Sequence, residues 1–199
     1  MKRFQLLFTV TVFLFAGMGF SNSVSAQIYR VGAGLSFASG YEFNNSDVGN
    51  PGFKIKTWIP LDRKSTLNIV PTLSAFNRSV MDAGRYSIMN YLFMGDLDGQ
   101  YMFYEERTLK MVVFAGANFT YLNSVIAQND PKYPIPDTAP GDLSDYAIGG
   151  NLGAGLEMRL APRWDMNVSV KYILSKYSQF IISVEGVYYF KSRRSAYWR

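Results

Sequence analysis

The ionisable residues that could carry chemistry in this chain lie on one face of segments whose alternating pattern favours β-strands. They are Arg30, Lys54, Lys56, Asp96, Asp98, Glu157, Arg159, Asp165, Lys171 and Glu185. Because side chains alternate between the two faces of a strand, each falls on the face opposite the apolar residues of its segment. Both signs of charge are present, so these residues can pair with one another. We interpret them as a packed charge network inside the fold, with a proton path or a ligand site as the functional alternative.

The spacing of the charges predicts two pairings across neighbouring strands. A tight turn at 161–163 places Arg159 roughly opposite Asp165. Across the next hairpin, Lys171 lies within a diagonal step or two of Glu185. Such pairs would satisfy each other in a dry interior.

Several classes of catalysis are excluded by composition. The chain contains neither histidine nor cysteine, which removes Ser-His and Cys-His nucleophile pairs and the commonest metal ligands. Asp96 and Asp98 remain conceivable as an acid and a base, although crowding on one strand face explains them more simply. We therefore expect no catalytic residue, no cofactor and no metal site. A set of loop acids matches no known calcium-loop spacing: Asp130, Asp137, Asp142 and Asp145.

Eight alternating segments position these charges. They are predicted strands at 29–43, 53–61, 66–77, 86–104, 109–122, 145–160, 164–175 and 179–190. The fourth exceeds the roughly 5–6 residues of a common soluble strand, whereas a tilted membrane strand needs about 9–11. Pro71 cannot donate a ladder hydrogen bond, so we expect a bulge or local break there.

The last strand shows the alternation most clearly. One face carries Phe180, Ile182, Val184, Tyr188 and Phe190, and the other carries Ile181, Ser183, Glu185, Val187 and Tyr189. A glutamate on one face needs a wet or paired interior, and in a transmembrane barrel the apolar face meets lipid. The chain is therefore predicted to be all-β, an eight-stranded antiparallel up-and-down transmembrane barrel. Eight strands leave room for side chains rather than for a pore.

The connections between the strands alternate in length. Longer loops follow strands one, three and five, and the second of these loops is at 78–85. The other connections are short turns, at 61–65, 105–107 and 161–163. This asymmetry is typical of outer-membrane barrels, whose short turns face the periplasm. The longest loop, 123–144, is where we expect contact with a protein partner. Aromatic residues predict two girdles: Tyr101, Phe103, Tyr104, Trp164, Tyr188, Tyr189 and Phe190 at the periplasmic ends, and Phe37, Tyr41, Tyr121, Tyr146, Tyr172 and Phe180 at the outer ends.

The two termini predict export. Residues 1–26 combine a basic start, an apolar stretch and the small-residue end Val24-Ser25-Ala26, as a secretory signal peptide does. A transmembrane helix is the alternative, which the polar run at 21–23 disfavours, and no later apolar run is long enough to span a membrane as a helix. Much of the formal +5 charge lies in the signal and in a basic tail at 191–199, so no basic stripe favours nucleic acid. We expect the barrel domain at 27–190 and the tail in the periplasm.

Three features together resemble the family of small eight-stranded outer-membrane β-barrels, of the OmpX and OmpA transmembrane-domain type within the porin superfamily. They are the signal ending, the strand Leu152-Gly-Ala-Gly-Leu-Glu-Met158, and the closing Tyr188-Tyr189-Phe190, which resembles the family's assembly signal. The resemblance covers 27–190 and departs from the family at the tail after Phe190. It implies a Gram-negative outer-membrane location, with membrane lipid and the barrel-assembly machinery as partners. The family's enzymes rely on a histidine that this chain lacks.

Three functions remain open from the sequence. The first is a non-enzymatic integral outer-membrane protein that displays loops for adhesion, envelope integrity or contact with a membrane complex. The second is a narrow transporter for small or apolar solutes. The third is a soluble periplasmic barrel that binds a lipophilic ligand, which would have to bury its aliphatic face inside.

Overall fold

The computed structural model describes residues 29–40, 50–62, 64–82, 86–128 and 143–190. The predicted signal peptide, the basic tail and residues 129–142 of the predicted long loop lie outside these ranges. Within the described ranges, no helix is long and apolar enough to cross a membrane. Eight strands are present: β1 (Arg30–Gly40), β2 (Asn50–Pro60), β3 (Leu67–Asp82), β4 (Tyr86–Glu105), β5 (Leu109–Gln128), β6 (Leu143–Ala161), β7 (Trp164–Leu174) and β8 (Gln179–Tyr189).

The strands form a closed antiparallel barrel in chain order. Each strand pairs with the next, and β8 returns to pair with the whole of β1, from Arg30 opposite Tyr189 to Gly40 opposite Gln179. Closure leaves no free sheet edge around the wall, which satisfies the backbone hydrogen bonds without water. The predicted eight-stranded up-and-down barrel is confirmed.

The two faces of the wall differ sharply in chemistry. Along β8, every second residue from Gln179 to Tyr189 is buried, and the residues between them are exposed or partly exposed. Large apolar side chains are exposed on all eight strands, whereas the buried positions are rich in charged and amide side chains. An apolar exterior around a polar interior is the arrangement of a membrane-spanning barrel. The soluble barrel with its aliphatic face inside is therefore wrong.

The strand ends correct several predicted boundaries. β5 continues to Gln128 and β6 starts at Leu143, so both flanks of the predicted 123–144 loop are strand. The predicted loop at 78–85 is also mostly strand, because β3 and β4 remain paired up to Asp82 opposite Ser87. The polar composition of these segments predicted loops. They are strands because each forms cross-strand hydrogen bonds with a neighbouring strand that is also long, whatever its composition.

Pro71 causes the expected local break, on its β2 side, rather than a bulge. It pairs with Leu97 in a continuous β3–β4 register, and the register shift falls between Phe76 and Ser79 instead. On the other side, the β2–β3 pairs omit Thr57 and Trp58 opposite this position while the register is kept. The missing N–H of the proline therefore leaves only a local gap toward β2.

Four neighbouring strands are much longer than the rest. β3, β4, β5 and β6 have 16, 20, 20 and 19 residues, whereas the other four have 11 each. The last β2–β3 pair is Gly52 with Phe76, and the first β6–β7 pair is Gly150 with Leu174. Beyond these pairs the four long strands stay bonded only to one another. We call this part the extended sheet: 77–82, 86–92, 122–128 and 143–149.

The extended sheet rises from one end of the barrel. We call this end the loop end, because it also carries the connections at 41–49 and 129–142. The opposite end, the turn end, carries the short connections between β2 and β3, β4 and β5, and β6 and β7. About six residues of strand beyond the barrel wall correspond to about 20 Å of extended chain.

Candidate functional site

The lumen gathers nearly all of the charges that the sequence singled out. Every one except Arg159 is buried inside the barrel, and Lys110 joins them. The buried cations are Arg30, Lys54, Lys56, Lys110 and Lys171, and the buried anions are Asp96, Asp98, Glu157, Asp165 and Glu185. The two sets balance in number, so the charges can compensate one another in a low-dielectric interior.

The charged side chains in the lumen form three layers, and Lys171 is the centre of the middle one. Its Nζ donates to Asp96 Oδ2 and to Asp98 Oδ2, each at 2.8 Å. Asp96 Oδ1 also accepts from the side-chain amides of Asn118 at 2.7 Å and Asn151 at 3.1 Å. One ammonium therefore bridges two carboxylates, and these come from β4 across the lumen rather than from the adjacent β8.

Glu185 is neutralised by two lysines of β2. Its carboxylate oxygens lie 3.2 Å from Lys54 Nζ and 2.5 Å from Lys56 Nζ. Lys54 also donates to Ser183 Oγ at 3.2 Å, and Lys56 to Asn167 Oδ1 at 3.2 Å. The expected Lys171–Glu185 pairing is wrong. The strand register places Lys171 opposite Ile181, and both Lys171 and Glu185 contact charged residues on non-adjacent strands across the lumen.

A third charged layer lies near the turn end. Arg30 Nη1 lies 2.5 Å from Glu157 Oε2, donates to the Tyr189 hydroxyl at 3.1 Å, and stacks 4.1 Å from the centroid of the Trp58 ring. The Tyr189 hydroxyl in turn donates to Asp165 Oδ2 at 2.6 Å. Tyr189 is 3% exposed. It therefore belongs to the lumen, and its predicted place in the periplasmic aromatic girdle is wrong.

Arg159 is the one predicted lumen charge whose side chain is exposed. It lies opposite buried Asp165 as predicted, and the β6–β7 register shifts only after it, between Arg159 and Ala161. Asp165 is satisfied by Tyr189 instead.

Apolar clusters lie in the lumen on both sides of the Lys171 and Glu185 layers, and the turn-end cluster packs against Arg30. At the loop end, Leu92, Ile173 and Ile181 belong to a buried cluster completed by Ala38, Phe76, Met94, Leu122, Ala147 and Tyr177. At the turn end, Trp58, Val70, Val187 and Tyr189 form a second one. Between them, a cavity of about 10 Å³ is lined in part by Lys54, Lys56, Lys171 and Asp98. That is space for about one water molecule.

Aromatic residues mark both ends of the apolar exterior. Trp164, Tyr188 and Phe190 form a chain of ring contacts at the turn end, with centroids 5.1 Å and 5.8 Å apart. At the loop end, Phe93 lies 6.5 Å from Tyr121, and Phe119 stacks on Tyr146 at 6.3 Å. The predicted Tyr41 lies outside the described residues. Recognition of Tyr188, Tyr189 and Phe190 by an assembly machinery stays a prediction.

Sequence reasoning missed a polar latch at the loop end. In the β7–β8 turn, Lys176 Nζ and the Tyr177 hydroxyl both donate to the carboxylate of Asp145 in the extended sheet. Burial, followed by this hydrogen bond, raises the pKa of Tyr177, and the hydrogen bond to Asp145 raises the pKa of Lys176. A tyrosine within a polar turn was the only available signal. The latch fixes the turn against β6.

Among the described residues, no group of three or more His, Cys, Asp or Glu side chains is placed to hold a metal ion. The buried carboxylates are each engaged by lysine, arginine, tyrosine or amide donors. The interior arrangement is that of a compensated structural network, and its chemistry is ion pairing.

Comparison with solved structures identifies the fold. Neisserial surface protein A superposes with a TM-score of 0.58 at 13% identity, covering 81% of this chain and 97% of that one. Ail, the attachment invasion locus protein of Yersinia pestis, gives 0.54 at 11%, covering 82% and 99%. The N-terminal β-barrel domain of Pseudomonas aeruginosa OprF gives 0.54 at 12%, covering 82% and 98%.

Neither a protein-family model nor a curated protein sequence matches the chain. The structural likeness establishes the fold of small eight-stranded outer-membrane barrels. The apolar exterior is the physical reason for placing this barrel in a membrane. The chain is an integral β-barrel of the outer-membrane type.

Proposed function

We propose that this protein is a non-enzymatic outer-membrane barrel that serves as a rigid anchor for a contact surface outside the cell. The contact surface is the extended sheet together with the loops that join its strands. Its role is adhesion, envelope integrity or contact with a larger membrane complex. The observation that carries the proposal is the extended sheet itself, raised on a barrel whose lumen is filled by its own side chains.

Strand length supports an external role for this sheet. About 9–11 residues suffice for a tilted strand to cross the membrane, and the 11-residue strands of the barrel meet that need. The 20-residue strands β4 and β5 continue well beyond it. Ordering each additional residue costs about 1–2 kcal/mol of backbone entropy, so a projecting sheet needs compensating interactions of its own or with a partner.

The two sides of the extended sheet support a protein or peptide partner. Residues 77–82 of β3 have no pairs with β2, and residues 143–149 of β6 have none with β7, although the β7–β8 turn contacts Asp145 from that side. Unpaired strand edges can add a strand from another chain. Next to the β6 edge, Tyr146 and Ile148 are 66% and 75% exposed, which adds apolar contact area to the backbone groups.

The known structures of this fold agree with the proposal in kind. Two of the three described above are a surface protein and an attachment protein by name. At 11–13% identity, the likeness supports the anchor, and the contact role rests on the extended sheet of this chain.

The filled lumen argues against the transporter alternative. A solute would have to cross both apolar clusters and the Lys171 layer, beside which a cavity of about 10 Å³ lies. Side-chain displacement there would separate buried ion pairs, which costs on the order of several kcal/mol.

The test is native extraction of a tagged copy from outer membranes, sized by native electrophoresis with identification of co-purifying proteins. We expect a larger assembly in the wild type that is lost in Tyr146→Lys, since lysine at a strand edge opposes strand addition. Glu106→Gln, in an exposed turn at the opposite end, is the matched control and should leave the assembly intact. A lone small species would contradict a stable complex, and recovery without detergent would contradict membrane anchoring.

A further inference from the structure

The extended sheet forms half of a cylinder above the loop end. Its four strands, β3 to β6, continue past the rim of the wall, whereas β7, β8, β1 and β2 end there with 11 residues each. Among the described residues, four of the eight places around the circumference therefore carry strand above the rim, and the other four do not. The step between the two halves is about six residues high, or about 20 Å of extended chain.

The two side edges of the extended sheet border this step. The β2–β3 ladder stops at Phe76, and the β6–β7 ladder starts at Gly150. Lys176 and Tyr177 reach the β6 side from below, but both donate to the carboxylate of Asp145 rather than to the β6 backbone. Strand edges are templates for further strands. A strand added at either edge would lie above the rim formed by β7, β8, β1 and β2.

A second copy of the extended sheet has the shape and the strand directions that fill those four places. A two-fold rotation about an axis perpendicular to the barrel axis inverts the second copy and sets its half-cylinder over the open half of the rim. β6 then meets β6 of the second copy, and β3 meets β3. Both new pairs are antiparallel, because the rotation reverses the strand direction. The result is a ring of eight alternating strands, the same number as in the wall, so the curvature need not change.

This geometry determines where the second copy has to be. The rotation turns its barrel upside down and places it end to end with the first, loop end against loop end. The two barrels therefore lie in two membranes that face each other. A second barrel in the same membrane cannot take this position, because the space below the open half of the rim belongs to β7, β8, β1 and β2 of the first copy.

The β3 edge is complementary to itself in charge. Antiparallel pairing centred on Val80, near the middle of the segment 77–82, puts Arg78 of each copy opposite Asp82 of the other. Residues of opposite charge that lie directly across an antiparallel pair stabilise it. The two-fold symmetry makes this contact twice. The charge pattern therefore favours a second copy of this chain over an unrelated strand.

The β6 edge contributes apolar surface. Tyr146 and Ile148 are 66% and 75% exposed in a single copy. Pairing centred on Tyr146, the middle of the segment 143–149, puts the two tyrosines opposite each other across the two-fold axis. Aromatic cross-strand pairs add to the stability of a sheet. The second copy would cover side chains that a single copy leaves exposed.

We propose that the extended sheet binds the extended sheet of a second copy in a facing membrane, so that two half-cylinders close into one eight-stranded ring. The contact is homotypic and joins two cells. This inference rests on the proposed contact role of the extended sheet and names its partner. Closure pairs both edges of each sheet, which removes the edges that a lone copy exposes.

The experiment uses outer-membrane vesicles shed by cells that carry the full chain, since these keep its natural orientation. Two vesicle populations with different lipid dyes are mixed, and clusters that contain both dyes are counted by two-colour fluorescence correlation. We expect wild-type vesicles to cluster. Arg78→Asp alone should reduce clustering about tenfold, because two symmetric attractions become repulsions. Asp82→Arg alone should do the same.

Mixing the two variants tests the pairing itself. Arg78→Asp vesicles carry only aspartates at the two positions, and Asp82→Arg vesicles carry only arginines. Each population should fail to cluster with itself, whereas the two together should cluster to within about twofold of wild type. A variant that has merely lost its fold cannot be rescued in this way. Glu106→Gln at the turn end is the control and should cluster like wild type.

Three outcomes would overturn the proposal. They are the absence of clustering by wild-type vesicles, unchanged clustering by Arg78→Asp vesicles, and failure of the two variants to cluster with each other. The proposed function is tested separately by native extraction. An extracted assembly with another protein that is lost in Tyr146→Lys, together with wild-type vesicles that stay apart, would keep the contact role and reject the second copy as its partner.

Discussion

Removing the charge of Lys171 is the sharpest perturbation of the closed lumen. Lys171→Met keeps much of the side-chain stem but leaves Asp96 and Asp98 without the ammonium that contacts both at 2.8 Å. Breaking a buried ion pair by removing one partner costs about 3–5 kcal/mol.

The variant should therefore lose about 4 kcal/mol of stability at pH 7. The assay is urea unfolding in lipid vesicles, followed by tryptophan fluorescence and by heat-modified migration. Wild type and variant are compared under the same conditions.

Second-site substitutions test the local geometry. Asp96 keeps two amide donors, Asn118 and Asn151, after Lys171 is removed, whereas Lys171 is the side-chain donor to Asp98. Asp98→Asn should therefore rescue Lys171→Met better than Asp96→Asn does, although both leave one carboxylate. A loss below about 1 kcal/mol would refute the reasoning, because it would mean that water already solvates this layer.

Further expectations concern the lumen wall and the loop-end latch. Gly116→Ala should lower the free energy of unfolding by about 1–3 kcal/mol, since its Cβ would lie 2.1 Å from Leu97 O. Gly99→Ala lies on the lipid side, where the nearest atom to the added Cβ is 3.7 Å away, and should be neutral in the same unfolding assay. Tyr189→Phe should cost about 2 kcal/mol through the lost contacts to Asp165 and Arg30, whereas Tyr188→Phe on the lipid side should not; equal costs would contradict the lumen assignment. Tyr177 and Lys176 both have raised pKa values, so the latch stabilises the fold below about pH 10 and is lost as pH rises further. Absorbance titration of phenolate should show a late-titrating tyrosine that Tyr177→Phe removes, and an unchanged curve would argue against the latch.

The alternation of side chains made the barrel predictable from the sequence. Glu185 between Val184 and Gly186 has to face a paired interior, and this single constraint orients the whole of β8. The same period correctly places Asp96, Asp98 and Lys171 inside. It does not predict that Arg159 is exposed, nor the register shift that follows this residue, because a bulge depends on how the β6–β7 turn closes and has no period of its own.

The partners within the lumen were beyond sequence reasoning. Alternation determines which face a residue takes, whereas the pairing of Lys171 with β4 depends on how the wall curves and brings distant strands together. The extended sheet was missed for a different reason. Polar, turn-forming residues around 78–85 and 123–128 predicted loops, and only the neighbouring long strands turn them into a ladder.

Conductance of the purified protein in a planar lipid bilayer tests the central claim most directly, because the claim is that this barrel is an anchor with a closed lumen. The account predicts a baseline without current steps under conditions in which a known porin gives clear openings. Reproducible openings of the wild-type protein would contradict it, since ions would then cross both apolar layers and the Lys171 layer, and the transporter function would take its place.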